Sequence, residues 1–443
     1  MQNDQDDPYP RIDIPPIDDA NMGSLRMLTL LAIVGGILTG ILGGVFRLAL
    51  QGAQSFRADV LEWAAEAPAL RWIVPVVLAG AAVAFARLII RWVPEAGGSG
   101  VQRVEANMRS EIGFAKMRVI PAKFVSGVLA IGAGLALGRE GPTVQMGAVI
   151  GSYAGKYAKV SEHDRRTLSA SLAGAGLGVA FGAPLGGAIF VLEEVARAVR
   201  TRLVLTALIG SAVAVAVMQL FIGRKPIFDV PDVSLEALWM IIPYAILGLA
   251  LGAMGVHYNK LVIWMMDAMA KLPRLPPELK AGIVGGLVGL VGVFAPELVG
   301  GGEILNEAVL VGTYAVWAIL GILIFRLLLG PLSYSLGTAG GLFAPLLVVG
   351  ALTGALIAET VNALVPAADL SPVAFAIVGM STFFAAVVRA PITGVILIIE
   401  MTATTALAIP MILAAAMAVL VATAMKGEPI YDTLRGRLQT KAP

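Results

Sequence analysis

One carboxylate interrupts an apolar, glycine-rich stretch: Glu140, inside Gly138-Arg139-Glu140-Gly141-Pro142, just ahead of the apolar segment Met146–Tyr153. An ionisable group at membrane depth is costly unless it is paired, hydrated or used, so this position is read first as a functional one. A carboxylate next to free backbone amides acts as a tethered anion. Ionised, it occupies an anion site; protonated, it leaves. Its neighbour Arg139 offers a plain ion pair as the alternative, but adjacent residues on a helix do not face each other. A second acidic pair, Glu193 and Glu194, closes another apolar stretch just before the basic group Arg197, Arg200 and Arg202. Such a pair at a helix end is ordinarily a solvated interfacial feature.

The elements that position these groups follow from composition. Of 443 residues, 58% are hydrophobic and only 14% charged, with a mean hydropathy of +0.85. That is more apolar surface than one soluble core could hide. The runs Leu28–Leu50, Trp72–Ile90, Leu203–Ile222, Leu238–Val256 and Ile319–Leu329 are of spanning or near-spanning length. The expected fold class is therefore an all-α polytopic membrane protein. The chain has no cysteine, and its two histidines, His163 and His257, have no ligand cluster near them in sequence. Disulfide and thiol chemistry are thus excluded, and neither a metal nor another cofactor is expected. Residues 1–24 are polar, acidic and proline-rich, without the basic start and apolar core of a cleaved signal peptide. They read as a solvated cytosolic arm.

The two halves of the chain resemble each other. Ala183-Pro184-Leu185-Gly186-Gly187 through Glu193 reappears as Ala390-Pro391-Ile392-Thr393-Gly394 through Glu400. At one constant shift, Gly138, Pro142, Gly147, Ala148 and Gly151 fall on Gly341, Pro345, Gly350, Ala351 and Gly354, and Pro94-Glu95 precedes glycines as Pro296-Glu297 does. The first copy of the Ala-Pro motif is followed by arginines, whereas the second has Arg389 before it and the uncharged Thr402-Ala403-Thr404-Thr405 after it. With basic loops on the cytoplasmic side, the copies cross in opposite directions. Inverted repeats broken by Gly and Pro are a transporter architecture, with the substrate near the midplane. The expected division is a first membrane half at residues 25–222, a second at 223–425 and a short cytosolic tail at 426–443.

Three segments, around Gly98-Ser99-Gly100, Gly138–Pro142 and Gly341-Leu342-Phe343-Ala344-Pro345, each look like a chain break leading into a helix. Free N–H groups at such starts can replace the hydration of an anion without placing a full positive charge beside it. The alternative is that the glycines only let helices pack closely.

These segments, with Glu428-Pro429-Ile430-Tyr431 near the end, resemble in order the signature motifs of the CLC family of chloride channels and chloride/proton exchangers, over about residues 25 to 435. The resemblance implies the CLC fold: two inverted-topology halves with tilted and re-entrant helices, in a homodimer with one pore per subunit. It implies that chloride is bound by the hydroxyls of Ser99 and Tyr431 and the amides of Leu342 and Phe343. It makes Glu140 the gate and external proton carrier, and Glu194 the internal proton-transfer residue found in exchangers and commonly absent from channels. Ser99 implies chloride rather than nitrate, since nitrate-preferring members tend to carry proline there. One departure is Gln102, where the family often has proline.

The reading is a secondary active transporter exchanging chloride for protons, in the cell inner membrane with both termini cytoplasmic. A passive chloride channel of the same fold is the alternative. An intramembrane hydrolase lacks a nucleophile with a base or a metal cluster, so no enzymatic activity is expected. No nucleic acid partner and no regulatory nucleotide-binding module are expected either. Glu400, the repeat counterpart of Glu193, reads as structural.

Overall fold

The computed structural model describes residues 19–66, 71–231, 233, 238–272, 275–312 and 314–439. The first half runs α1 Asp19–Glu66, α2 Ile73–Trp92, α3 Val101–Met108, α4 Val119–Gly132, α5 Glu140–Tyr157, α6 Glu162–Phe181, α7 Pro184–Phe190 and α8 Thr201–Ile222. The second repeats that order: α9 Ile241–Ala270, α10 Pro277–Phe294, α11 Glu303–Leu310, α12 Val316–Ser335, α13 Phe343–Leu364, α14 Pro372–Val388, α15 Pro391–Thr402 and α16 Ala408–Ala424, followed by α17 Ile430–Gln439. Among the described residues seven helices are long and apolar enough to cross a membrane. The chain is a multi-pass membrane protein whose halves are inverted copies.

Local signals explain the helix starts. Ser161 caps α6 by accepting from the Asp164 amide, and Ser371 caps α14 by accepting from Ala374, with Pro372 in its first turn. Prolines open α7 and α15, where a missing N–H removes nothing from the helix. The short helices α3 and α11 both follow a glycine in the left-handed region, Gly100 at φ 90° and Gly302 at φ 98°, so the same turn is built in each half.

Inversion is visible in one reciprocal contact. Glu193, just beyond α7, accepts hydrogen bonds from the amides of Ile392 (3.0 Å) and Thr393 (2.7 Å) at the start of α15. Glu400, near the end of α15, accepts from the amides of Leu185 (3.0 Å) and Gly186 (2.7 Å) at the start of α7. Each helix thus carries near its C-terminal end the carboxylate that caps the other's N-terminus, which requires the two to run antiparallel. The pairing also puts negative charge against each positive helix end. Glu400 is structural, as expected, and Glu193 is a cap in the same sense and not a free interfacial acid.

The repeated glycines divide into two roles. Gly147 in α5 lies against the backbone of Leu172 in α6, and Gly350 in α13 against that of Gly379 in α14; a Cβ at either would strike those carbonyls. These serve close packing, the plainer of the two readings. Gly138 and Gly341 instead pair with each other through both backbone bonds, Gly138 N–H to Gly341 (2.9 Å) and the reverse (2.8 Å), and so tie the halves at the centre.

Two boundaries differ from expectation. Helix α1 begins at Asp19, inside the segment assigned to a polar arm; residues 1–18 lie outside the described residues. The C-terminal segment assigned to a tail folds as α17, which packs on α3. Its Tyr431 is fully buried and is no interfacial anchor.

Removing the charge of one cap tests the inversion contact. Glu400→Gln leaves two amides with a weaker acceptor and is expected to cost about 1–2 kcal/mol. A fall of a few degrees in thermal unfolding of the detergent-purified protein is the expected outcome, with Glu193→Gln giving a similar fall; an unchanged midpoint in both would show that the caps contribute nothing.

Candidate anion and proton site

The centre of the fold is where the starts of α3, α5, α13 and α17 meet. Glu140 is the first residue of α5, fully buried, and one carboxylate oxygen accepts the Phe343 amide at the start of α13 at 2.9 Å. The neighbouring Ala344 amide also bears on it. An acidic residue at a helix centre in a membrane costs about 2.5–3.5 kcal/mol on insertion scales. A charge-assisted hydrogen bond contributes about 1.5–3 kcal/mol, so the Phe343 amide offsets much of that cost, while the second carboxylate oxygen is buried without a hydrogen-bond partner. Its surroundings are tight. A Cβ at Gly138 or at Gly341 would overlap the carboxylate itself, which is why both flanking segments carry glycine.

Ser99 lies next to this group: a Cβ on Gly141 would fall 2.9 Å from the Ser99 hydroxyl. The hydroxyls of Ser99 and Tyr431 are both fully buried. They approach each other but not in hydrogen-bonding geometry, and each is left without a partner. The Tyr431 hydroxyl also feels the Glu140 carboxylate. Two unsatisfied buried hydroxyls beside helix-start amides form a donor-rich cluster whose chemistry suits a small anion. The structure therefore brings together Ser99, Tyr431, Glu140 and Phe343. Leu342, also fully buried, is the residue preceding α13.

Arg139 does not pair with Glu140. Its guanidinium reaches Glu303 at 2.8 Å, at the start of α11, and donates to the Ala180 carbonyl at 2.9 Å. Two further buried cations were missed by sequence reasoning. Lys123 in α4 donates to the Gly98 carbonyl at 2.6 Å. Arg326 in α12 donates to the carbonyls of Leu298 (3.1 Å), Gly300 (2.8 Å) and Gly301 (3.0 Å). The shift that sets Pro142 on Pro345 sets Lys123 on Arg326. Both pin the glycine turn that launches the short helix of their half, and the signal that finds them is a lone cation at matching places in two apolar runs.

Glu194 belongs to a second cluster, around Arg197. After α7 the chain makes a π-helical turn, Val191–Val195, which aims Glu193 at α15 and buries Glu194 on another face. Such turns insert one residue and re-aim side chains, and they concentrate at functional positions. The Glu194 carboxylate lies 3.4 Å from the Arg197 guanidinium. The same guanidinium meets Asp432 of α17 at 2.9 Å and, more distantly, the fully buried Glu105 of α3 at 3.9 Å. Arg435 in turn pairs with Glu105 (3.1 Å) and with Asp432 (3.0 Å).

Residues 80–423 match the voltage gated chloride channel family. The chain is 36% identical over 424 residues to the H(+)/Cl(-) exchange transporter ClcA of Citrobacter koseri, covering 94% of this chain and 89% of that one. It is 37% identical over 416 residues to ClcA of Vibrio parahaemolyticus, covering 92% and 89%. Among solved structures it superposes on a slow cyanobacterial Cl-/H+ antiporter with a TM-score of 0.90 at 31% identity, covering 94% of this chain and 98% of that one. A CLC-type fluoride/proton antiporter shares the fold alone, with a TM-score of 0.76 at 21% identity over 94% of this chain and 98% of that one. With its inverted halves, its helix starts gathered on one buried carboxylate and this similarity along nearly its whole length, the chain belongs to the CLC family of chloride channels and transporters.

Proposed function

We propose that the chain is a chloride/proton exchanger of the cell inner membrane, a homodimer with one pore per subunit and cytoplasmic termini, and not an enzyme. The observation that carries this reading is the Glu140 carboxylate seated on the Phe343 amide beside the Ser99 and Tyr431 hydroxyls. Chloride and the ionised carboxylate compete for the same helix-start dipoles. Ionised Glu140 closes the anion path; a proton neutralises it, weakens its hold on the amides and lets the side chain give way to chloride. Ser99 and Tyr431 bind the anion by O–H donation, together with the amides at the start of α13, those of Leu342 and Phe343. Glu194 supplies the proton from the basic side of the membrane. Arg197 links it to polar groups on α3 and α17. The relatives named above are exchange transporters, and the buried Glu194 favours exchange over passive conduction.

Purified protein in sealed liposomes tests the coupling. Chloride leaving down its gradient is expected to pull protons in; chloride flux with no proton uptake above leak would make the protein a channel.

Glu140→Gln imitates the protonated state. Proton movement is expected to fall to leak, and chloride movement to persist with no dependence on pH, because no titrating carboxylate remains to compete. Continued coupling in this variant would remove Glu140 from the gate.

The proton entrance is tested by comparing neighbours. Glu194→Gln keeps size but cannot carry a proton, and is expected to abolish proton flux while chloride still passes. Glu193→Gln is expected to leave proton flux within about twofold of the wild type, since that residue acts as a helix cap whose loss falls on stability. The opposite pattern would place the entrance on Glu193.

A further inference from the structure

We propose that the Tyr334 hydroxyl is a neutral, tethered occupant of the Ser99 backbone amide, held in place by Gln102, and that these two side chains set how tightly an arriving anion is bound. This rests on the reading of Ser99 as an anion ligand. The Ser99 N–H donates to the Tyr334 hydroxyl at 3.4 Å, in a buried position. The hydroxyl and the Gln102 carboxamide both lie on the Gly98 turn, 3.3 and 3.4 Å from where a Cβ on Gly98 would be, and Gln102 interacts with the same hydroxyl. Tyr334 also lies close enough to Tyr431 for the two phenols to influence each other.

These groups stand at the inner end of a cavity of about 990 Å³ lined by Gly98, Gln102 and Tyr334 and by Arg87, Arg91 and Arg103, with Glu278 and Arg437 also on its wall. Arg437 is paired with Asp267. The cavity reaches α17, whose Asp432 meets Arg197, so it opens on the basic side of the protein. An anion entering there meets Tyr334 and Gln102 before Ser99 and Tyr431.

The contact is suited to replacement. A neutral N–H to hydroxyl bond at 3.4 Å is long and weak, whereas an anion takes the same amide with a charge-assisted bond. Gln102 is held at a cost, because its carbonyl oxygen is buried without a partner. Rotation of the phenol away from the amide, with the carboxamide following, frees the Ser99 N–H and lets Gln102 find a partner. Tyr334 thus does without charge at the inner end what Glu140 does with charge at the centre.

The test is equilibrium chloride binding by calorimetry on the full-length, detergent-purified protein titrated with potassium chloride. Tyr334→Phe removes one oxygen and keeps the ring, so the packing is preserved. Loss of a weak competitor is expected to tighten chloride binding about fivefold. Gln102→Met, which removes the tether at similar length, is expected to act in the same direction by a smaller factor. A merely structural hydroxyl would leave binding unchanged or weaken it on removal, and either result overturns the proposal. Ser99→Ala separates the two levels of argument, because it removes the hydroxyl and keeps the N–H. If it binds chloride as well as the wild type, the hydroxyl is no ligand and the proposed site fails, while this inference stands or falls on Tyr334→Phe; if it weakens binding while Tyr334→Phe does not tighten it, only this inference fails.

Discussion

The fold is arranged around a buried carboxylate held by a backbone amide among apolar helices. Glu140 and the Phe343 amide come from opposite halves of the chain, and neither half alone could present both. The cost of the carboxylate is met by helix starts and not by a cation: Arg139 is drawn off to Glu303, and Lys123 is committed to the Gly98 carbonyl. On the proposed reading, a full positive charge at the site would bind an anion too strongly to release it, whereas partial charges on amides and hydroxyls attract it reversibly.

The inverted repeat makes such a centre possible, and its departures from symmetry give it direction. The reciprocal Glu193 and Glu400 caps, the Gly100 and Gly302 turns and the Lys123 and Arg326 anchors are the same in both halves. The differences are few. The first half places Glu140 where the second, at the constant shift, places Phe343, and α7 runs into a π-helical turn where α15 continues as a regular helix. That turn re-aims the residue after the cap, and the residue there is Glu194 in the first half and Met401 in the second. A local π-helical turn and two acids are thus where the first half departs from the second.

Much of this was legible in sequence because the repeat compares the chain with itself. Short motifs at a constant shift identified the halves, and an acid among glycines identified the centre. What could not be read depends on contacts distant in sequence. Whether a glycine serves packing or a site is decided by what stands opposite it: Gly147 and Gly138 look alike until Leu172 and Glu140 are placed against them. Glu193 reads as a solvated acid until α15 arrives from 199 residues away. Tyr334 gives no signal at all, since a tyrosine closing an apolar helix is an ordinary interfacial residue, and only the tertiary fold brings its hydroxyl to Ser99.

The Ser99–Tyr431 cluster and the Arg197 cluster are joined through rigid elements. Helix α3 begins just after Ser99 and carries Glu105, one helical turn on, into the Arg197 cluster. Helix α17 turns Tyr431 toward Ser99 and its next residue, Asp432, toward Arg197. A shift of either helix that reshapes the anion pocket therefore also moves a charged partner of Arg197, whose guanidinium lies against Glu194. Short helices with one end at each station can carry such a shift. If Glu140 and Glu194 act as proposed, coupling is a property of α3 and α17 as much as of the two glutamates, since these helices are the mounting that the Ser99–Tyr431 cluster and the Arg197 cluster share.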